Sequence, residues 1–211
     1  MYLPAHFAET DVAVLHALMR AQPLGTWVTQ GDDGLTVNHI PFYLDAAKGA
    51  HGTLIGHVAR ANPVWKSLTQ PMPSVVVFQG PQAYVSPSWY PSKQADGKVV
   101  PTWNYAVVHA HGRPRAIEDR ARLLDIVSVL TATHEAGQAA PWQVADAPDD
   151  FIDKLLGAIV GIEIPIERLS GKWKVSQNRP LADRLGTVAG LEAAGEGDAA
   201  RMAEAVRRFI A

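Results

Sequence analysis

The feature that most restricts the fold is a succession of short β-rich segments between residues 24 and 117, each bounded by turn-forming residues. Short strands with little helix between them are typical of an antiparallel barrel or sandwich. Gly31-Asp32-Asp33-Gly34 predicts a hairpin turn between the first two strands. The predicted strands cover residues 26–30, 35–44, 52–58, 74–79, 82–86 and 105–117.

Helical patterns flank these strands. Thr10 or Asp11 can cap a first helix in which Val12, Leu15 and Met19 share one face. Further elements are predicted as helices at residues 118–138 and 149–156, a strand at 158–164, and an Ala-rich helix from 181 that is interrupted at 195–198. We therefore expect a mainly β fold with flanking α-helices.

The length and composition exclude several classes of protein. A chain of 211 residues can bury a sizeable core without disulfides, and we expect one domain over residues 1–190 with a helical tail over 191–211. The absence of cysteine excludes a disulfide scaffold, a cysteine zinc site and a thiol nucleophile. A net charge of −2 gives little support for strong binding to a nucleic-acid backbone.

The chain shows no sign of membrane insertion or export. Its most apolar stretch, residues 155–166, is interrupted by Glu163, whereas a bilayer span needs about twenty apolar residues. No basic segment followed by an apolar run opens the chain. We expect a cytoplasmic protein without a membrane partner.

Common catalytic motifs do not occur. The chain lacks a G-x-G-x-x-G fingerprint, a P-loop and a G-x-S-x-G elbow. His109 and His111 share one face of a predicted strand and could begin a metal site. Glu118 is the nearest further ligand and falls at or beyond the end of that strand. We predict no metal site.

Three clusters of polar and aromatic residues remain. In the first, Asn62 and Pro63 form a natural helix start. Arg60 and Lys66 flank this start, and together with its free backbone amides they could hold a phosphate.

The second cluster lies around Trp89, Trp103 and Asn104, at the two ends of a long irregular segment over residues 87–102. Aromatic planes beside polar groups suit a flat heterocycle. The third cluster, residues 171–179, crowds polar side chains around Trp173. Its density of charge predicts a binding loop or an arm at a dimer interface rather than core.

These motifs carry a resemblance that covers nearly the whole chain. The segments are Met1–Phe7, residues 37–41, 56–63, 84–90, 100–105 and 111–112, and the run Gly171-Lys172-Trp173-Lys174 with Ser176-Gln177-Asn178-Arg179. In this order they make the chain similar to the PaiB-type FMN-binding negative transcriptional regulators. The resemblance implies an FMN-binding split β-barrel, antiparallel and of Greek-key type, that forms homodimers with flavin at the subunit interface.

The resemblance also implies roles for individual residues. Arg60, Asn62 and Lys66 are expected at the FMN phosphate and ribityl chain. Trp89, Trp103 and Asn104 are expected beside the isoalloxazine ring. The third cluster is expected to close the site through Lys172, Gln177 and Arg179, from the same or the neighbouring subunit.

The biochemical role stays open at this point. The family suggests a regulator that acts on DNA directly or through a partner, although no DNA-reading element is visible in the sequence. The alternative is an FMN-dependent oxidoreductase or flavin reductase acting on a small molecule, for which His57, His109, His111 and Tyr90 are the available proton-transfer groups. A haem-binding split barrel is a third class, for which no axial-ligand spacing is visible.

Overall fold

The computed structural model describes residues 1–31, 34–69 and 72–210 and is dominated by antiparallel strands. The strands are β1 (Ala8–Glu9), β2 (Leu24–Gly31), β3 (Gly34–Pro41), β4 (Tyr43–Asp45), β5 (Thr53–Ala59), β6 (Ser74–Val85), β7 (Thr102–Gly112), β8 (Arg115–Ile117) and β9 (Ile159–Lys174). The helices are α1 (Val12–Ala21), α2 (Ser92–Asp96), α3 (Arg120–Glu135), α4 (Asp149–Gly157), α5 (Leu181–Ala193) and α6 (Asp198–Arg207). Two 3-10 helices matter for the site, Pro63–Thr69 and Pro87–Trp89.

The strands form one sheet in the order β3-β2-β6-β7-β9-β5-β4, with β1 and β8 also paired to β9. All registers described between them are antiparallel. Strands β2 and β3 pair up to Gly31 and Gly34, as expected for the predicted hairpin; Asp32 and Asp33 themselves lie outside the described residues. The prediction of a mainly β, antiparallel fold with flanking helices is confirmed.

The chain divides into two compact units whose boundaries fall inside α1, β6, β7 and β9. The first unit comprises Met1–Leu15, Gln79–Val108 and Ser170–Ala211, and the second comprises His16–Phe78 and His109–Leu169. In the first unit, α5 and α6 pack on each other, and Leu191 and Met202 are fully buried.

In the second unit, α3 lies against β5. Its residues Ile126 and Leu130 pack on Ile55, with Tyr43 and Ile117 at the margin of this cluster. The spacing of Ile126 and Leu130 is the helical period that predicted this buried face.

Several element boundaries differ from the prediction. Residues 74–79 and 82–86 belong to one strand, β6, while residues 35–44 are divided between β3 and β4. In α1, Leu15 and Met19 are buried as predicted, but Val12 is 39% exposed.

The largest difference concerns the third cluster. The segment was expected to lie outside the core, yet β9 continues through Lys174, and Lys172, Trp173 and Ser176 are buried. Strand β9 is already buried at Val160, and its continuation places these polar residues in the interior. Their burial is tolerated because their polar atoms find hydrogen-bond partners there.

Within the described residues, no helix combines the length and apolar character needed to cross a bilayer.

Candidate functional site

The nine predicted site residues fall into two groups. Arg60, Asn62 and Lys66 lie in the second unit, and the other six lie in the first unit.

Asn62 starts the 3-10 helix Pro63–Thr69, as predicted. Its Oδ1 accepts a hydrogen bond from the Val64 amide at 3.0 Å. Its Nδ2 donates to Asn38 Oδ1 at 2.7 Å, which ties this turn to β3. Pro63 occupies the first position, where a missing N–H removes no helical hydrogen bond. Asn62 therefore fixes where the helix begins.

The guanidinium of Arg60 is occupied by partners within the second unit. It donates to the carbonyl oxygens of Gly157 at 2.9 Å and Ile159 at 3.1 Å, and to Glu118 Oε2 at 2.7 Å. Glu118 balances its charge, and the two carbonyls hold it at the junction of α4 and β9. In this arrangement Arg60 fastens the end of β5 to that junction.

Lys66 lines an open cleft of about 460 Å³. We call it the Lys66 cleft; its walls are Trp65, Lys66, Leu68, Arg115, Ala116 and Glu118. Trp65 is held in place because its Nε1 donates to the Arg60 carbonyl at 3.0 Å. The Lys66 ammonium lies 5.9 Å from the Trp65 ring, within the range of a cation–π interaction.

Two cations of this cleft carry no carboxylate partner. Among the described residues, Lys66 and Arg115 form no ion pair, and both are exposed. The cleft thus offers uncompensated positive charge beside an aromatic ring. Arg115 was not among the predicted site residues. The sequence feature that could have indicated it is the pair of arginines around Pro114, directly after the strand that carries His109 and His111.

In the first unit, Trp89 packs against α5. A Cβ added at Gly190 would lie 2.2 Å from the indole, and one at Gly186 would lie 2.0 Å from the Trp89 carbonyl oxygen. Two residues lacking a side chain, four positions apart, therefore create the flat helix surface that accepts this tryptophan.

The irregular segment after Trp89 is also tied to α5. The buried Asp183 accepts hydrogen bonds from Ser92 N at 3.1 Å and Ser92 Oγ at 2.7 Å. Residues 87–102 thus contain a 3-10 helix and α2, with two attachments to α5.

Trp103 is the most accessible of the predicted aromatic residues, at 49% exposed. Its Nε1 donates to Gln82 Oε1 at 3.1 Å, and its ring meets that of Tyr84 edge to face at 6.2 Å. Tyr84 is equally exposed. The pair presents an aromatic surface on neighbouring strands of the first unit.

Asn104 is completely buried and donates from Nδ2 to Ser176 Oγ at 3.0 Å. Ser176 has φ of +67°, a left-handed conformation that is costly for residues other than glycine. Such strain persists only where the surrounding structure imposes it, and it concentrates at functional sites.

Lys172 and Gln177 are engaged inside the first unit. Lys172 Nζ donates to the Tyr2 carbonyl at 3.1 Å and lies 5.4 Å from the Tyr105 ring. Gln177 Oε1 accepts from Val175 N at 2.8 Å, and its Nε2 donates to Trp173 O at 2.5 Å. Gln177 therefore braces the turn that follows β9.

Lys174 and Arg179 line a small polar cavity of about 40 Å³. We call it the Lys174 cavity; its lining residues are Thr102, Asn104, Lys174, Ser176, Asn178 and Arg179. Burial lowers the pKa of the Lys174 ammonium, and the positive charges of Lys172 and Arg179 lower it further. Arg179 stacks over the Tyr90 ring at 5.0 Å.

The candidate proton-transfer groups are partly buried. Burial lowers the pKa of His57, of His109 and of His111, so all three favour the neutral imidazole. The rings of His109 and His111 lie 6.2 Å apart. In the described parts of the chain, no group of three potential metal ligands forms around them.

Comparison with known proteins identifies the family. The family model for an FMN-binding domain matches residues 1–168. The chain is 36% identical to the uncharacterised protein AN0679 of Emericella nidulans, over 91% of this chain and 90% of the relative. It is 29% identical to the Bacillus subtilis protease synthase and sporulation protein PAI 2, over 97% of this chain and 95% of the relative.

Solved structures share the fold at low sequence identity. The flavocytochrome Anf3 from Azotobacter vinelandii matches with a TM-score of 0.58 and 16% identity, over 79% of this chain and 69% of that chain. The FAD and haem binding protein from Mycobacterium smegmatis matches with a TM-score of 0.58 and 17% identity, over 79% of this chain and 73% of that chain. Together with the family match, these similarities confirm the predicted flavin-binding split-barrel fold.

The match over residues 1–168, the 36% identity to a relative of nearly equal length and the resemblance to PAI 2 lead to one conclusion: this chain belongs to the family of FMN-binding domains, and its cofactor is a flavin.

Proposed function

We propose that the protein binds FMN with the phosphate in the Lys66 cleft, where Lys66 and Arg115 contact it directly. The observation that carries this proposal is the pair of unneutralised cations on an open cleft of about 460 Å³. Small-molecule sites usually measure about 300–1,000 Å³. A phosphate dianion would supply the negative charge that these two side chains lack.

In this proposal, Arg60 and Asn62 position the site rather than contact the phosphate. Arg60 has its guanidinium on Glu118 and two carbonyls, and Asn62 sets the start of the 3-10 helix. The Arg60 carbonyl accepts a hydrogen bond from Trp65, and Asn62 fixes the start of the helix, so each residue supports the wall from which Lys66 projects.

For the isoalloxazine ring we propose the aromatic surface of Trp103. Its half-exposed indole and its hydrogen bond to Gln82 make it a rigid, accessible plane for stacking. We also propose that the protein forms a homodimer, as the resemblance to its family implies. In this proposal Trp89 and Asn104 support the fold rather than contact the ring, because Trp89 packs on α5 and Asn104 is completely buried.

The experiment compares FMN with riboflavin, which lacks the phosphate. In the double variant Lys66→Ala/Arg115→Ala, FMN loses two charge-assisted contacts worth about 1.5–3 kcal/mol each. We expect FMN affinity to fall by well over tenfold and riboflavin affinity to stay within about twofold. Flavin fluorescence quenching measures both affinities.

Two further variants separate the possible causes. Lys154→Ala removes an exposed cation of the second unit outside the cleft and should leave both affinities unchanged. The double variant Arg60→Ala/Glu118→Gln, which leaves no unpaired carboxylate in the cleft, should lower the thermal stability while preserving the ratio of FMN to riboflavin affinity. Unchanged FMN affinity in the double variant contradicts the phosphate assignment, and an equal loss for both flavins indicates damage to the fold.

We propose two uses of the bound flavin. The resemblance to PaiB-type proteins supports a role in negative transcriptional regulation. The three arginines of the C-terminal helical region do not favour direct DNA binding there, because each pairs with a carboxylate: Arg201 with Asp198, Arg207 with Glu192 and Arg208 with Glu204. Regulation would then act through the dimer or a protein partner.

The alternative use is redox catalysis on a small molecule, and the Lys174 cavity is the observation that favours it. Bound FMN supplies hydride or single-electron transfer. His57, neutral because of its burial, is a base available within the second unit. Addition of a reduced nicotinamide to the FMN-loaded protein separates the two uses: bleaching of the flavin absorbance supports catalysis, and an unchanged spectrum supports regulation.

A further inference from the structure

The Lys174 cavity concentrates positive charge without compensation. Lys172, Lys174 and Arg179 lie close enough that the first and third depress the pKa of the second. Among the described residues, none of the three forms an ion pair with a carboxylate. Surface cations elsewhere in the first unit, such as Arg201, do have such partners.

Protein groups fix the orientation of the hydrogen-bond donors around the cavity. Two N–H groups of Lys174 are directed to Thr102 Oγ and to the Trp103 carbonyl, which leaves the third free. Arg179 lies over the Tyr90 ring at 5.0 Å and interacts with the Tyr90 hydroxyl, and within the described residues it donates no hydrogen bond to a carbonyl or carboxylate. Its planar fork is suited to two oxygens of one anion.

The turn that carries Arg179 is held in a strained conformation. Ser176 adopts φ of +67°, and its carbonyl accepts a hydrogen bond from the Arg179 amide at 3.0 Å. The buried Asn104 bonds Ser176 Oγ. Strained backbone is typical of functional sites, and here it lies in the turn that carries Arg179.

The volume limits what the cavity can hold. At about 40 Å³ it lies far below the 300–1,000 Å³ of typical small-molecule sites. It therefore suits a group of a few atoms, such as one carboxylate or phosphate group.

We infer that the Lys174 cavity binds one oxyanion group, a carboxylate or phosphate, through Lys174 and Arg179. The inference does not depend on the assignment of the Lys66 cleft. The oxyanion belongs either to a small anionic substrate or effector, or to the phosphate of FMN itself, and the experiment below distinguishes these sources.

The experiment titrates inorganic phosphate into the Lys66→Ala/Arg115→Ala protein, whose other cationic cleft has been neutralised, and measures binding by calorimetry. Adding Arg179→Gln should weaken phosphate binding by about tenfold or more. Arg179 is half-buried and loses its contact with the Tyr90 ring in this variant, so the thermal midpoint should fall slightly while the protein stays folded at the temperature of the titration. Lys98→Ala, which removes an exposed cation of the same unit, should change binding by less than about twofold.

Three outcomes overturn the inference: no phosphate binding before Arg179 is changed, no weakening by Arg179→Gln, or an equal weakening by Lys98→Ala. A second titration, with the otherwise unaltered protein saturated with FMN, identifies the source. Phosphate binding that persists and remains sensitive to Arg179→Gln indicates a separate anionic ligand. Loss of that Arg179-dependent binding indicates that the flavin phosphate occupies the cavity, which would contradict the assignment of the Lys66 cleft while supporting the oxyanion site.

Discussion

The contact between Trp89 and α5 gives a sharp test of how the first unit is assembled. Glycine inside a helix is less favourable than alanine by about 1 kcal/mol. Without tertiary contacts, Gly190→Ala would therefore stabilise α5. The structure predicts the reverse, because the new methyl group would lie 2.2, 2.4 and 2.6 Å from three ring atoms of Trp89.

The size of the effect follows from these distances. Ordinary carbon contacts lie near 3.5–4 Å, so the indole must move by about 1 Å or more. Forcing an extra methyl group into a packed site costs about 1–3 kcal/mol, and the helix-propensity gain offsets about 1 kcal/mol of it. Because the 2.2 Å contact lies far inside the ordinary distance, the cost falls at about 2–3 kcal/mol, the upper part of this range, and Gly190→Ala should lower the free energy of unfolding by about 1–2 kcal/mol. Gly186→Ala should lower the free energy of unfolding further, since its methyl group would lie 2.0 Å from the Trp89 backbone carbonyl oxygen.

Urea unfolding monitored by circular dichroism measures these free energies. Gly157→Ala is the matched control, because Gly157 is the last residue of α4 and a Cβ there has no atom within 4 Å. The control should be neutral or slightly stabilising. If Gly190→Ala proves as stable as the unaltered protein or more so, the packing of Trp89 on α5 is wrong.

Three further predictions concern single side chains. Ser176→Ala should be less stable than Ser176→Gly, since both lose the hydrogen bond to Asn104 but only glycine relieves the positive φ; thermal unfolding ranks the two variants. Asp183→Ala should cost about 2–4 kcal/mol and speed proteolysis near Ser92, because two hydrogen bonds lose their acceptor. Burial lowers the pKa of His57 in the folded chain, so the unfolded chain binds more protons and stability should fall as pH drops through about 6.5; His57→Gln should reduce this dependence in urea titrations without removing it, because His109 and His111 act in the same direction.

The sequence predicted an element correctly where the spacing of its apolar residues matches the side chains that are buried in the structure. Leu123, Ile126 and Leu130 are spaced for one helix face, and all three are buried in α3. The pattern was less informative for strand boundaries. The prediction separated a strand at 74–79 from one at 82–86, yet β6 runs through Gly80 and Pro81 without interruption, because pairing with neighbouring strands overrides local preference.

The third cluster shows why the polarity of a segment does not by itself predict whether the segment is exposed or buried. Lys172 is 7% exposed, although lysine is almost never buried without partners. Its ammonium reaches the Tyr2 carbonyl and lies near the rings of Tyr2 and Tyr105. These partners are separated from it by 170 and 67 positions in the sequence, so no local pattern could have revealed them.

Tertiary contacts also determine which cations are available to bind a ligand. In the sequence, Arg60 and Lys66 look equivalent, two basic residues at one helix start. In the folded chain, Glu118 and two carbonyls from residues 97 and 99 positions away occupy Arg60, while Lys66 lines a cleft with Arg115 and forms no ion pair among the described residues. The charge that a ligand encounters depends on which cations lack carboxylate partners after folding. That property belongs to the tertiary structure, and it is why we place the phosphate with Lys66 and Arg115 rather than with Arg60.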